Sequence, residues 1–376
     1  MSKSIQAYIL SRLQQRKDDG NYRSLRLIGG LVDFTSNDYL GFAKDFELKR
    51  HIAEKLSKLE QNEYGSTGSR LLSGNSDYAE KLESRLATFH HAETALLFNS
   101  GFDANYGLLS TLPYKSDTII YDELVHASIH DGIRNSKAKS IMFAHNNLAQ
   151  LRKVLSAADG KKYVVIESIY SMNGDIAPLT DIATICQQYD AGLIVDEAHA
   201  TGVFGEQGRG LVAQHSLESK ILARVHTFGK AMGAHGAVIL CSQILKDFLI
   251  NYCRPFIFST ALPVQSLVAV DCAYDLLQRD SLRMQKLHHI IKLFKSEMRR
   301  SPGTTLLPSD SPIQSVVYPG NERVKAVARA LQQQGMDVRP IMSPTVPIGL
   351  ERIRICLHSF NTEEEVIKLA SVIGTL

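Results

Sequence analysis

The sequence predicts an α/β fold with a mostly parallel central sheet, followed by a smaller α+β domain. Three observations carry this. Apolar runs of strand length recur through the middle of the chain and are continuous rather than alternating, which marks strands covered on both faces. Amphipathic helical stretches lie between them, as an α/β layering requires. Beyond about residue 264 the rhythm changes to a long helical stretch and then shorter strands and helices.

The elements follow in order. Ile5, Ile9 and Leu13 fall at helical spacing near the N-terminus. Tyr78, Leu82, Leu86 and Phe89 form one stripe of a further helix. Ala95–Phe98 is a short apolar run. Asp117–Asp122, Tyr163–Ser168, Gly192–Asp196 and Gly236–Cys241 read as buried strands. A long helical stretch then runs toward Arg300. Gln314–Tyr318 reads as a strand, Arg323–Gln334 as a helix stopped by Gly335, and Arg352–Leu357 as a strand. The last helix opens with a capping box, Thr362 with Glu365. The expected division is an N-terminal helix and arm over 1–42, a large domain over 43–278 and a small α+β domain over 279–376.

Composition narrows the function. The 376 residues are enough for more than one domain. A net charge of +3 on 44% hydrophobic and 22% charged residues gives no case for nucleic acid or a membrane as a partner. No run is apolar enough for a secretory leader or a bilayer span, so a cytoplasmic protein is expected. The five cysteines include no Cys-x-x-Cys pair, which disfavours a disulfide framework or a structural zinc site, and no metal is expected.

Five local signals suggest chemistry. Asp196 ends a buried apolar run, where open α/β sheets bind ligands, and His199 follows three residues on. Alone, this equally suits a helix cap and a backbone-satisfied histidine. Lys230, in Thr227-Phe-Gly-Lys230, precedes the next strand. A lysine in such a turn is usually solvated, but beside a strand-end acid it suits a Schiff-base lysine with an acidic partner for pyridoxal phosphate (PLP). Asn99-Ser100-Gly101-Phe102 joins a strand to a helix whose free N–H groups suit a phosphate, with Thr227 able to add a hydroxyl. His126 follows another strand and can stack on a flat ring. Arg352 and Arg354 share one strand face, and a guanidinium fork suits a substrate carboxylate, Arg354 being nearer the strand centre. Rival motifs fail. The glycines over 202–210 lack dinucleotide spacing, Gly229-Lys230 is followed by Ala231 and not Ser or Thr, and no Gly-x-Ser-x-Gly elbow occurs.

The order His126, Asp196, His199, Lys230, Arg354 resembles the α-oxoamine synthases, fold-type I PLP-dependent transferases with an aspartate aminotransferase-like fold. Supporting blocks are Ser36-Asn-Asp-Tyr-Leu-Gly41, Gly65-Ser-Thr-Gly-Ser-Arg-Leu-Leu-Ser-Gly74, Ser171-Met-Asn-Gly-Asp175, Gly205-Glu-Gln-Gly-Arg-Gly210 and Phe258-Ser-Thr-Ala-Leu-Pro263. The resemblance implies that Lys230 carries PLP as a Schiff base and serves as the base at the substrate Cα. It implies that Asp196 pairs with the ring nitrogen, that His199 bonds the phenolic oxygen and that His126 stacks on the ring. Ser100, Gly101, Phe102, Ser171 and Thr227 fall in the implied cofactor pocket. A homodimer with a shared active site is implied, Thr260 of the second subunit approaching the phosphate. Arg354 is implied at the amino-acid carboxylate, Arg23 and Asn37 near the acyl substrate, and Thr345 among the substrate-binding residues. The stretch Ser343-Pro-Thr-Val-Pro-Ile-Gly349 resembles the family's biotin-pathway member. That implies decarboxylative condensation of L-alanine with a pimeloyl thioester on coenzyme A or a carrier protein. Two segments depart from the family pattern, Cys356-Leu-His358-Ser-Phe-Asn after Arg354 and Ala231-Met-Gly-Ala-His235 after the lysine. Glycine or serine with another acyl-CoA stays open as a substrate pair, as does a PLP-binding protein without turnover.

Overall fold

The structure is a computed structural model that describes residues 2–25, 29–59, 65–300 and 304–376. It divides into two compact units, each assembled from separate stretches of chain.

The larger unit comprises Asn37–Ser171 and Ile176–Lys286. Its sheet has seven strands: β1 (Thr94–Phe98), β2 (Thr118–Asp122), β3 (Lys139–Phe143), β4 (Lys162–Glu167), β5 (Ala191–Asp196), β6 (Ala223–Thr227) and β7 (Ala237–Cys241), in the spatial order β1-β7-β6-β5-β4-β2-β3. The neighbours from β3 through β2, β4 and β5 to β6 run parallel; β7 is antiparallel to both β6 and β1. The sheet is therefore mostly parallel, as the continuous apolar runs predict. Helix α1 (Asp77–Phe89) buries Leu82, Leu86 and Phe89, and the Ser76 hydroxyl caps it by accepting from the Ala79 amide. Tyr78 lies at the margin of that stripe and donates its hydroxyl to Asp271 at 2.7 Å.

Two strands have no matching apolar run in the sequence. β3 is an edge strand with four exposed residues, so burial places little demand on its pattern. β6 reads Ala-Arg-Val-His-Thr and is wholly buried. Two of its polar residues find a partner inside the unit, Arg224 donating to the His90 carbonyl at 2.7 Å and His226 Nδ1 bonding the Thr201 hydroxyl at 2.8 Å.

Parallel strands bring their C-terminal ends to one edge. Asp122, Glu167, Asp196 and Thr227 are the last residues of β2, β4, β5 and β6, so three carboxyl groups and a hydroxyl gather at this edge, with Glu167 and Asp196 directly paired in register.

The smaller unit comprises Met1–Ser36, Met172–Asp175 and Leu287–Leu376. Its antiparallel sheet contains β8 (Thr305–Leu306), β9 (Ile313–Val317), β10 (Arg339–Ile341) and β11 (Arg352–Cys356), in the order β10-β11-β9-β8. The helix Asn321–Gln333 buries Val324, Val327, Ala328 and Leu331 and ends before Gly335, whose φ of +89° an L side chain would resist. The capping box of Thr362 and Glu365 is formed in both directions at helix Glu363–Ile373. Helix Lys3–Asp18 forms at the N-terminus, yet none of its residues is buried. No helix among the described residues is long and apolar enough to cross a membrane.

Candidate active site

The strand edge of the larger unit positions the reactive side chains. Asp196 is 6% exposed, and both its oxygens are held. Oδ1 accepts from the Ala198 amide at 2.8 Å, and Oδ2 accepts from Asn105 Nδ2 at 2.6 Å. Asn105 also donates to Ser128 Oγ at 3.1 Å, and Ser128 bonds His126 Nδ1 at 2.8 Å. A carboxylate with fixed donors is preorganised to face a cation.

Lys230 sits in the turn between β6 and β7, which is closed by bonds from Gly233 to the Lys230 carbonyl and from Ala234 to the Phe228 carbonyl. Its amine is half-buried and lies 2.8 Å from His199 Nε2. His199 Nδ1 lies 2.8 Å from the Tyr39 hydroxyl, which donates to Asn37 Oδ1 at 3.1 Å. The hydroxyl has a single proton. Given to Asn37, it leaves Tyr39 as the acceptor for a His199 Nδ1–H. The neutral imidazole then presents a lone pair at Nε2, which accepts from Lys230. The network thus ties the orientation of His199 to the lysine.

His126 is the N-cap residue of helix α3 (Ala127–Asn135), its Nδ1 accepting from the Ser128 amide at 3.2 Å. The imidazole keeps an exposed face while protein packs around the rest. That packing holds its pKa below the ordinary value, against the opposing pull of Asp196 and with help from Lys230.

Helix α2 (Gly101–Thr111) starts beside Thr227: a Cβ placed on Gly101 would stand 3.5 Å from both Cβ and Oγ1 of that threonine. The Ser100 hydroxyl is committed to capping, accepting from the Asp103 amide at 3.0 Å and donating to its carboxylate at 2.8 Å. What Ser100-Gly101-Phe102 presents at the helix start is therefore mainly main-chain N–H.

These residues fit PLP. A primary amine, a buried carboxylate with two fixed donors, an imidazole with an open face and a helix start beside a hydroxyl answer the aldehyde carbon, ring nitrogen, ring face and phosphate of that molecule. No group of His, Cys, Asp and Glu suited to a metal ion occurs among the described residues.

The other sequence candidates distribute as follows. Ser171 is buried at the end of the larger unit's first segment, and Thr260 is exposed, its carbonyl accepting from Asn99 at 2.9 Å. Arg23, Thr345 and Arg354 belong to the smaller unit. There Arg354 is half-buried and directs Nη1 to Cys356 Sγ, while Arg352 is buried and bonds Asn173 and the Leu350 carbonyl.

Four residues escaped the sequence reading. Tyr39 lay inside a quoted block without a role. Asn105 and Ser128 are polar residues buried on helix faces, a pattern that flags a satisfied network. Glu167 ends a buried run just as Asp196 does, and the same strand-end rule applies to it.

Comparison with known proteins shows the family. A family model described as aminotransferase class I and II matches residues 30–373. The 8-amino-7-oxononanoate synthase of Emericella nidulans is 41% identical over 400 residues, covering 99% of this chain and 96% of its own. A crystal structure of 8-amino-7-oxononanoate synthase from Francisella tularensis is 31% identical with a TM-score of 0.80, over 92% of this chain and 97% of its own. A serine palmitoyltransferase from S. paucimobilis, solved with PLP and myriocin bound, is 26% identical with a TM-score of 0.89, over 98% of this chain and 96% of its own. The chain therefore belongs to the aminotransferase class I and II family and, within it, to the PLP-dependent α-oxoamine synthases.

Proposed function

We propose that the protein condenses L-alanine with a pimeloyl thioester, releasing coenzyme A and CO₂ and forming 8-amino-7-oxononanoate for biotin synthesis. The observation that carries the reaction class is the lysine–histidine pair, Lys230 Nζ to His199 Nε2 at 2.8 Å, in the same unit as the tethered carboxylate of Asp196. The product follows from relatives of that name whose likeness spans nearly the whole chain.

PLP, when bound, supplies an electron sink for the pair left at the alanine Cα. Lys230 would hold the cofactor through its amine and would take the alanine Cα proton. Asp196 favours the protonated ring nitrogen. His199 bonds the phenolic oxygen, and His126 covers one ring face. The main chain at Gly101 and Phe102, with Thr227, holds the phosphate, and Ser171 lines the pocket. Arg354 grips the alanine carboxylate with its guanidinium fork. Arg23 and Asn37 contact the acyl substrate, and Thr345 is a further substrate-binding residue. In the condensation the Cα–acyl carbon bond forms, the C–S bond breaks and the thiol leaves. The former alanine carboxylate then departs as CO₂, and Cα regains a proton. The working form in this reading is a cytoplasmic homodimer, with Thr260 of one subunit at the phosphate of the other.

The test is thiol release by the PLP-loaded protein given pimeloyl-CoA and L-alanine, glycine or L-serine. Release requiring L-alanine and pimeloyl-CoA supports the proposal. Release only with glycine or serine and a different thioester assigns another member of the same reaction class.

A further inference from the structure

The proposed chemistry leaves two carboxyl groups of this strand edge unused, Asp122 and Glu167, and Glu167 is the one with a buried oxygen that lacks a partner. It is 3% exposed and stands directly beside Asp196 in the parallel register of β4 and β5, so the two side chains leave the same face of the sheet. The third carboxyl on this edge, Asp122, is well supplied, accepting from His145 Nδ1 at 2.9 Å and from the amides of Leu124 and Asn146. Asp196 has its two donors. Glu167 has an oxygen, Oε1, buried without a partner. Its carboxyl faces the main-chain amide of His126, the ring-stacking candidate.

Two adjacent buried carboxyl groups, one with a donor at each oxygen and the other with an oxygen that has none, do not both ionise. Asp196 has the amide of Ala198 and the side chain of Asn105, and it keeps the negative charge. The proton falls to Glu167. Burial and then the neighbouring Asp196 charge push the Glu167 pKa well above the carboxylate range, Asp122 adds to this, and Lys230 and the His126 amide oppose it. As a neutral acid, Glu167 still offers a carbonyl oxygen to the His126 amide, and so links the start of helix α3 to the strand next to Asp196.

We propose that Glu167 is a positioning residue of the cofactor site, held as a neutral carboxylic acid that leaves Asp196 the sole charge of the pair and anchors the His126 main chain. The inference rests on the reading of Asp196 and His126 as cofactor contacts. It assigns no proton transfer to Glu167 during turnover.

Substitutions separate this role from simple packing. Glu167→Gln keeps a neutral group with a carbonyl acceptor. Glu167→Leu keeps comparable volume but leaves the His126 amide unpaired. We expect the infrared carbonyl band of a protonated carboxylic acid in the PLP-loaded wild type at neutral pH, and its loss in Glu167→Gln; the difference spectrum isolates it from other acids. We expect the PLP dissociation constant of Glu167→Gln to stay within about twofold of wild type, and that of Glu167→Leu to rise about tenfold, the scale of one lost hydrogen bond. The pH midpoint of the bound cofactor's absorbance should move in Glu167→Leu and stay in Glu167→Gln. A difference spectrum without the acid band, or a Glu167→Leu protein with native affinity and midpoint, overturns the proposal. Asp196→Ala serves as the control. Weakened PLP binding there beside a native Glu167→Leu protein rejects this inference alone, whereas unchanged binding rejects the cofactor-site reading and this inference with it.

Discussion

Removing one oxygen tests the hydrogen-bond chain that orients His199. Tyr39 is fully buried and His199 is 4% exposed, so no water replaces the Tyr39 hydroxyl in Tyr39→Phe. The His199 Nδ1–H, now 2.8 Å from its acceptor, loses that partner. An orphaned buried donor costs about 1–3 kcal/mol. Asn37 also loses a donor, but it is half-buried, so solvent restores that bond and adds little to the loss. The native Nδ1–H tautomer becomes unfavourable, and with it the Nε2 lone pair that accepts from Lys230. We expect a melting temperature several degrees lower, since about 1 kcal/mol is worth roughly 2–4 °C in a unit of this size. We also expect a change in the ¹⁵N shifts of His199 that marks a mixed tautomer. The phenyl ring itself stays, so no cavity confuses the measurement. A Tyr39→Phe protein that melts within about 1 °C of wild type, with the His199 tautomer intact, would refute the assignment of Tyr39 as the acceptor.

Three further outcomes are expected. Lys230→Ala should lose the visible absorbance of lysine-bound cofactor and all turnover while staying folded; retained activity would remove Lys230 from the chemistry. Asn105→Leu should weaken PLP binding about tenfold by releasing Asp196 Oδ2 from its 2.6 Å donor, as read by absorbance titration. Glu197→Gln tests a buried acid behind the site. Burial, opposed by Arg224 and by the amides of Val212 and Leu211, raises the Glu197 pKa from 4.5 to about 7. The folded state thus holds a proton that the unfolded chain releases, so wild-type stability falls as pH rises from about 4.5 to about 7 and levels off above. The loss is about 3 kcal/mol. Gln still accepts from the amides of Leu211 and Val212, which Glu197 Oε1 meets at 2.7 and 3.0 Å. Denaturation of Glu197→Gln across that window should therefore show a flatter profile, and an identical slope would rule the effect out.

Where the physics is local or periodic, the amino-acid sequence by itself determined the result. Continuous apolar runs over Tyr163–Ser168, Gly192–Asp196 and Gly236–Cys241 specify strands covered on both faces. The Thr362–Glu365 capping box and the stop at Gly335 lie where their short-range bonds require. The residue types around Asp196, His199 and Lys230, taken with the blocks that flank them, identified a PLP enzyme of the α-oxoamine synthase kind. Tertiary structure decided the rest, because the deciding partner is remote in sequence. β6 hides its strand character behind Arg224 and His226, which are tolerable in a core only because His90 and Thr201 arrive to bond them. Asn105 becomes the keeper of Asp196 across 91 positions, and Tyr39 that of His199 across 160. Glu167 looks like any strand-end acid until β4 and β5 pair and set it against a second carboxyl in a space that holds one charge. The sheet brings such residues within bonding distance, and burial then turns that proximity into a fixed tautomer, a fixed carboxylate and a displaced pKa.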